Sequence, residues 1–442
     1  MKKNILVFIC FFCLTFIVSY FHPVNMDEII TYGFSYNISN GMIPYKDFNM
    51  VIGPLYPMLL SLSVSIFGNY YIFYLLENSL IYSIIFTFLY KKIGKKSIYI
   101  LLFLGCQVTM NSYNAFCAML MISMLMLLDS KFKYKEYLIG LLIAVIFFTK
   151  QNIGLALLFA YFINVLLEKK KIIKSTLIII ISFIPMFVYL LVNNIFDKYI
   201  DFCFLGMGSF LDNYKIDLIP FFMSLFFIFY LIKKYICTKD IKIIYLLAFQ
   251  TVLIPIIDVH HVLISLIPIY YYYFTTNENL KYNYIIKLMT IIYYIILTGL
   301  SIFLSSMIIK DNYLKYMFAS EGFMNTMDNF SSYIDEHDEY KIYLLTVEAY
   351  SIKLYRNEKM GFYDLINTGN LGSNEKKYVD MMAKDCSNKK CLFIMEASWF
   401  DNTKYYQCSE IFKEYILENY YYVETLPIGE RVYSNEKLTE GD

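Results

Sequence analysis

Apolar runs dominate the first three quarters of the chain, and polar breaks cut them at short intervals. The first covers residues 5–20, and others follow at 51–67 and 70–90. Further apolar stretches lie within 97–128, 137–167, 175–232 and 243–274, with a last run at about 284–308. Runs approaching bilayer length predict membrane-spanning helices. Met110–Asn114, Lys150-Gln151-Asn152, the polar stretch 193–217 and Asp258–His261 each divide a longer stretch into two helices. Some of these hold only about fourteen residues and reach roughly 22 Å at 1.5 Å per residue, less than a ~30 Å hydrocarbon core. Short, polar-broken helices are tolerated at membrane depth where they line a cavity or pack inside protein. The pattern therefore predicts an outward-facing wet cavity.

Lysines set the direction of the helices, because basic residues collect on the cytoplasmic side. They cluster at Lys91/Lys92/Lys95/Lys96, Lys131/Lys133/Lys135, Lys169/Lys170/Lys171/Lys174, Lys233/Lys234/Lys239/Lys242 and Lys281/Lys287. With all clusters inside, the chain crosses an even number of times between neighbours. Only one outward and one return crossing then fit before Lys91, so the run 51–67 does not span. It opens at Gly53-Pro54, with proline near a helix start, ends at Gly68, and reads as an interfacial or re-entrant helix. The total is about eleven spans, with nineteen lysines inside and four (Lys46, Lys150, Lys198, Lys215) outside. Met-Lys-Lys before the first run resembles a signal peptide, but bulky Phe21-His22-Pro23 predicts an uncleaved span with a cytoplasmic N-terminus.

Past residue 309 the pattern changes to mixed polar and apolar. Ile342–Val347, Cys391–Met395 and Tyr421–Leu426 read as strands and Cys408–Glu418 as a helix. The expected organisation is a transmembrane catalytic domain, 1–309, whose first outer loop is 22–69, and a small extracytoplasmic α/β domain, 310–442. The fold class is all-α polytopic membrane protein with that α/β appendage.

Composition agrees: 58% of the 442 residues are apolar and 17% charged, against about a quarter charged in ordinary globular chains. That excludes a soluble cytoplasmic enzyme, a disordered chain and a disulfide-dense module. A net charge of +1 and the absence of a basic, aromatic-interleaved stripe leave no case for nucleic acid. Nine scattered cysteines show no zinc spacing; Cys10, Cys13, Cys106 and Cys117 read as small hydrophobes. No repeat of 20–50 residues is visible.

The chemistry concentrates in the first outer loop. Asn25 or Asp27 can cap a helix with apolar residues at Ile30, Phe34 and Ile38, ended by Gly41 as a C′ glycine. Carboxylates Asp27, Glu28 and Asp47 lie at the ends of helices running along the surface, with Asp27 at headgroup level. A bland reading is that Asp27 and Glu28 only complement the helix dipole. The loop reads Asp27-Glu28, then Gly41-Met42-Ile43-Pro44-Tyr45-Lys46-Asp47-Phe48, then Gly53-Pro54-Leu55-Tyr56. This resembles the first luminal loop of the C-type (GT-C) membrane glycosyltransferases, which include protein O-mannosyltransferases and the aminoarabinose transferase.

The resemblance covers residues 5–90 and beyond them is architectural. It implies a polyprenyl-phosphate sugar as donor, a cell-surface glycan, lipid or protein as acceptor, and action at the outer face of the cell membrane. It gives Asp27 the role of base or acceptor-positioning residue, with Glu28 and Asp47 in support and Tyr45 and Lys46 lining the cavity.

Other residues carry two readings each. Lys150 either binds the donor phosphate or snorkels to the headgroups. His260 and His261 bind the phosphate, position a carboxylate or help hold a divalent metal, or they mark a polar turn. Adjacent histidines point apart on a helix, so both ligating one metal is disfavoured. Glu77, inside a span, is a functional candidate by depth; it faces the cavity or pairs with Asn78, Gln107 or Asn111. Tyr270–Tyr273 read as an interfacial belt rather than a cation–π sugar platform, Asp197, Asp201, Asp212 and Asp217 as solvated charges or acceptor contacts, and Cys386 and Cys391 as a candidate disulfide that spacing alone cannot establish.

Two rival functions remain. A polymerase or ligase of lipid-linked glycans usually keeps its arginines in a late loop, whereas the only arginines here are Arg356 and Arg431. A flippase or channel tends to show internal repeats and paired broken helices.

Overall fold

The computed structural model describes residues 2–20, 26–105, 110–206, 217–254, 256–276, 309–313, 317–319, 321–364, 371–397, 400 and 409–437. The expected span at about 284–308, and Asn25, Cys106, Gln107, Asp212, Lys215, Lys281 and Lys287, lie outside the described residues.

The chain divides into two compact units. The first holds Met1–Tyr32, Ile52–Tyr189 and Lys215–Met307, and the second Gly33–Val51, Leu190–Tyr214 and Ile308–Asp442. Helices run in the order α1 (Lys2–Tyr20), α2 (Met26–Ser39), α3 (Leu55–Phe67), α4 (Tyr71–Ile93), α5 (Lys96–Gly105), α6 (Tyr113–Leu128), α7 (Lys135–Phe147) and α8 (Gln151–Leu167). Then come α9 (Ile172–Val192), α10 (Phe196–Ile200), α11 (Leu218–Thr238), α12 (Lys242–Phe249) and α13 (Val259–Thr276). Among the described helices, α1, α4, α9 and α11 are long and apolar enough to cross a membrane. Several apolar helices of 10–17 residues accompany them. The protein is a multi-pass membrane protein.

Polar breaks stand where the hydropathy pattern sets them, with one correction. Helix α13 opens at Val259, so His260 and His261 sit in the first turn of that helix rather than in the break. Helix ends follow local chemistry. Ser112 caps α6 by accepting from Ala115 N. Gly41, at φ +79°, ends α2 with its N–H bonded to Ile38 O at 3.0 Å. The expected surface stripe on α2 is overturned: Ile29, Thr31, Tyr32, Phe34, Ser35, Tyr36 and Asn37 are all buried, so the helix is covered nearly all round.

In the first unit α1 packs on α4, with Phe11 stacked on Phe86 at 5.4 Å and Thr15 Oγ1 donating to Ser79 O at 3.2 Å. Asn164 of α8 donates to Tyr245 of α12 at 3.2 Å. The opening of α3 is capped from outside, because Leu55 N donates to Phe148 O at 3.0 Å. The four-tyrosine run is corrected: Tyr271 and Tyr272 are buried, and Tyr272 donates to Asp240 at 3.1 Å.

The second unit carries a four-stranded sheet of β3 (Lys341–Leu345), β4 (Cys391–Met395), β5 (Tyr421–Thr425) and β6 (Arg431–Ser434), in the order β3-β4-β6-β5. A small antiparallel pair, β1 (Ile309–Tyr313) and β2 (Met317–Ala319), precedes it. β3 and β4 are parallel, Lys341 opposite Cys391, and the other pairings are antiparallel. Every residue of β4 is buried, as a central strand requires. Helices α14 (Glu321–Glu336), α15 (Ala349–Tyr355), α16 (Glu375–Cys386) and α17 (Glu410–Asn419) complete it. Asn374 caps α16 and Ser409 caps α17. Cys386 and Cys391 form a disulfide joining α16 to β4.

Two loop segments are built into this unit. Asn37 pairs with the backbone of Met360 in both directions, at 3.1 and 2.9 Å. Asp201 accepts from Ser373 N at 2.9 Å and Ser373 Oγ at 2.5 Å, so it is not merely a solvated charge.

Candidate functional site

The start of α2 and the breaks before α6, α8 and α13 all belong to the first unit, and their polar side chains converge. Two linked groups result, one around Glu28 and one around Asp27.

Glu28 is fully buried. Its Oε1 accepts from Tyr71 OH and from Asn111 Nδ2, the latter at 2.8 Å. Asn111 is the hub of the group. Its Oδ1 accepts from Asn78 Nδ2 at 2.7 Å and Ser19 Oγ at 3.0 Å, and its carbonyl accepts from Tyr56 and Tyr74 at 3.1 and 3.0 Å. Burial pushes the Glu28 carboxyl up to about 7, against the hydrogen bonds from Tyr71 and Asn111 that favour its charge. Each such charge-assisted bond contributes roughly 1.5–3 kcal/mol, and a buried charge without them is strongly disfavoured.

Asp27, the neighbouring residue, is partly accessible. Burial of its carboxyl raises its pKa, opposed by electrostatic interactions with His261, Lys150 and His260 and aided by Asp258. Four later residues thus act electrostatically on one carboxylate.

Lys150, in the turn between α7 and α8, is only 7% exposed. Its Nζ donates to Asn114 Oδ1 at 2.7 Å and Val252 O at 3.5 Å, and lies 5.7 Å from the Tyr113 ring centroid. A snorkelling lysine would be exposed, so that reading of Lys150 fails. Burial lowers its pKa to about 8, although Cys117, Asp27 and Asp258 favour the charge.

His261 Nδ1 lies 2.9 Å from Asp258 Oδ1, which also accepts from His261 N at 2.8 Å. Its Nε2 is 3.4 Å from Asn114 Nδ2. The proton positions follow from the donors available. Lysine only donates, so Asn114 turns its oxygen to Lys150 and its NH₂ to His261. Nε2 is then the acceptor, and Nδ1 carries the proton shared with Asp258. Burial would raise the Asp258 carboxyl, but the hydrogen bonds from His261 outweigh it and hold the pKa low. His260 is exposed and turned away from this chain of contacts, as neighbouring positions on a helix require.

The remaining predicted residues are placed elsewhere. Glu77 accepts from Ser63 N at 3.0 Å, rather than from Asn78 or Asn111. Tyr45, Lys46 and Asp47 belong to the second unit. Tyr45 is buried against Tyr199 at 5.7 Å, Lys46 is exposed, and Asp47 accepts from Ile43 N at 2.7 Å. Among the described residues no group of three His, Cys, Asp or Glu side chains is arranged to hold a metal ion. Asn111, Asn114 and Tyr71 were not among the sequence candidates for the site. Their signal was available: Asn111 and Asn114 stand three apart in the polar break Met110–Asn114.

No family model matches the chain, and no curated protein matches it in sequence. Among solved structures the chain is similar to the crystal structure of ArnT from Cupriavidus metallidurans in the apo state. The likeness covers 98% of this chain and 98% of that chain, with a TM-score of 0.52 and 9% identity. At that identity no residue role transfers, and what the likeness shows is architecture along nearly the full length. The chain therefore has a GT-C-like fold.

Proposed function

We propose that the protein is an inverting glycosyltransferase. It moves a sugar from a polyprenyl-phosphate-linked donor to a cell-surface glycan, lipid or protein on the outer face of the membrane. The observation that carries this reading is that Asn114 joins Lys150 and His261, with Asp258 behind His261, at the broken ends of membrane helices, and that these residues act electrostatically on Asp27. A carboxylate beside a buried cation suits a reaction that removes a proton and releases a phosphate. The GT-C-like fold supports the sugar-transfer class.

The acceptor hydroxyl attacks the anomeric carbon while Asp27 takes its proton, and the bond from that carbon to the phosphate oxygen breaks. The electron pair leaves with polyprenyl phosphate. One displacement inverts the anomeric centre. Burial that raises the Asp27 pKa makes it a better base near neutral pH. Lys150 offsets charge growing on the phosphate, a term worth more in a water-poor site. Asn114 and Asp258 orient Lys150 and His261, and Glu28 holds the start of α2 against Asn111.

The test is Asp27→Asn in membranes supplied with a radiolabelled polyprenyl-phosphate sugar. Transfer should fall by roughly 10²–10⁴-fold at unchanged expression. Full transfer by the variant sinks the base. Lipid movement across the bilayer with no transfer, in the unaltered protein, turns the reading to a flippase.

A further inference from the structure

At the other ends of α6 and α13 the first unit has a polar cavity. Along α6 from Asn114 to Asp129 and along α13 from His261 to Phe274, at 1.5 Å per residue, this cavity lies roughly 20–22 Å from the candidate site. Its volume is about 340 Å³, and among the described residues Lys92, Lys96, Asp129, Lys242, Phe274 and Thr275 line it together with Ile93. Lys242 pairs with Asp129 at 3.0 Å and Asp240 at 3.6 Å, and Lys92 reaches Asp129 at 3.5 Å. Lys96 donates to Phe274 O at 3.3 Å. Among the described residues three ammonium groups thus meet two carboxylates, the lining Asp129 and Asp240 behind Lys242, an excess of one positive charge that complements a phosphodiester.

We infer that this cavity binds the phosphate of an anionic phospholipid. The choice of a lipid over a soluble anion rests on α4. Leu80, Ile84 and Phe88 are exposed at four-residue spacing, forming an apolar stripe that ends at Lys92. An acyl chain lies along the stripe while the headgroup sits among the lysines. Basic pockets between membrane helices recognise headgroups in this way.

Full-length protein in mild detergent is equilibrated with phosphatidylglycerol and phosphatidylcholine in equal amounts, and bound lipid is counted by native mass spectrometry. Phosphatidylglycerol is enriched. Lys96→Gln lowers the enrichment about fivefold, the equivalent of ~1 kcal/mol per lysine; Lys96→Arg restores it, and Lys95→Gln, outside the cavity, leaves it unchanged. Lys92→Gln replaces Lys96→Gln if the latter fails to fold. Equal binding of the two lipids, or an equal loss in Lys95→Gln, overturns the site. Displacement of the lipid by inorganic phosphate at like concentration assigns the cavity to a soluble anion and overturns it too.

Discussion

Asn114 touches both Lys150 and His261, so its removal has two consequences at once. Asn114→Leu should raise the KM for the lipid donor about tenfold or more, the size of a lost charge-assisted contact. Combined with Lys150→Met it should add little, because residues in one network are not additive. Additive losses in a double-mutant cycle of donor KM would separate the two residues. The pH profile gives a further check. Lys150 loses its proton above about 8, so transfer should decline as pH rises through that value. The same shift works on stability in the opposite direction. Between about 8 and the ordinary lysine pKa the unfolded chain binds more protons than the folded one, so this group makes stability rise with pH. Activity loss without a fall in melting temperature is therefore expected, and parallel loss of both would contradict it.

Elements are placed by contacts that leave no room for a side chain. A Cβ on Gly53 would overlap the Phe148 carbonyl, and one on Gly154 would overlap the Phe147 backbone. Those contacts set α3 and α8 against the end of α7, and hence the turn that carries Lys150. Gly53→Ala and Gly154→Ala should each destabilise the protein by about 1–3 kcal/mol, as overpacking does, read as a lower melting temperature in detergent. An unchanged melting temperature would mean the helices separate without cost. The positions of the breaks were legible in the polar residues interrupting each apolar run. The covered faces of α2 were not: Ile30, Phe34 and Ile38 make a stripe, but burial of Tyr32, Tyr36 and Asn37 depends on residues distant in sequence.

For the molecule as a whole, the membership of loops was hidden. Residues 33–51 and 190–214 group with the C-terminal sheet, although they interrupt the apolar runs of the first unit. The proposed topology puts the loop after α1 outside the cell. Lys46 is exposed, so Lys46→Cys in intact cells should react with a membrane-impermeant maleimide. Labelling only after the cells are opened would reverse the topology and remove the donor side assumed for Asp27.

Hydropathy, lysine placement and strand periodicity were enough to determine a multi-pass helical protein with a small α/β appendage, because helix and strand patterns are local and a bilayer selects run length. They also marked Asp27, Glu28, Lys150 and His261 as polar residues at helix breaks. Only the tertiary structure decided which of these meet. Glu28 finds Asn111 83 positions away, and Asn114 finds His261 147 positions away. It left Glu77 with Ser63 and set Tyr45, Lys46 and Asp47 in the second unit. The reason is physical: a buried polar group must find its partner wherever packing supplies one, and no local pattern encodes which helix end that will be.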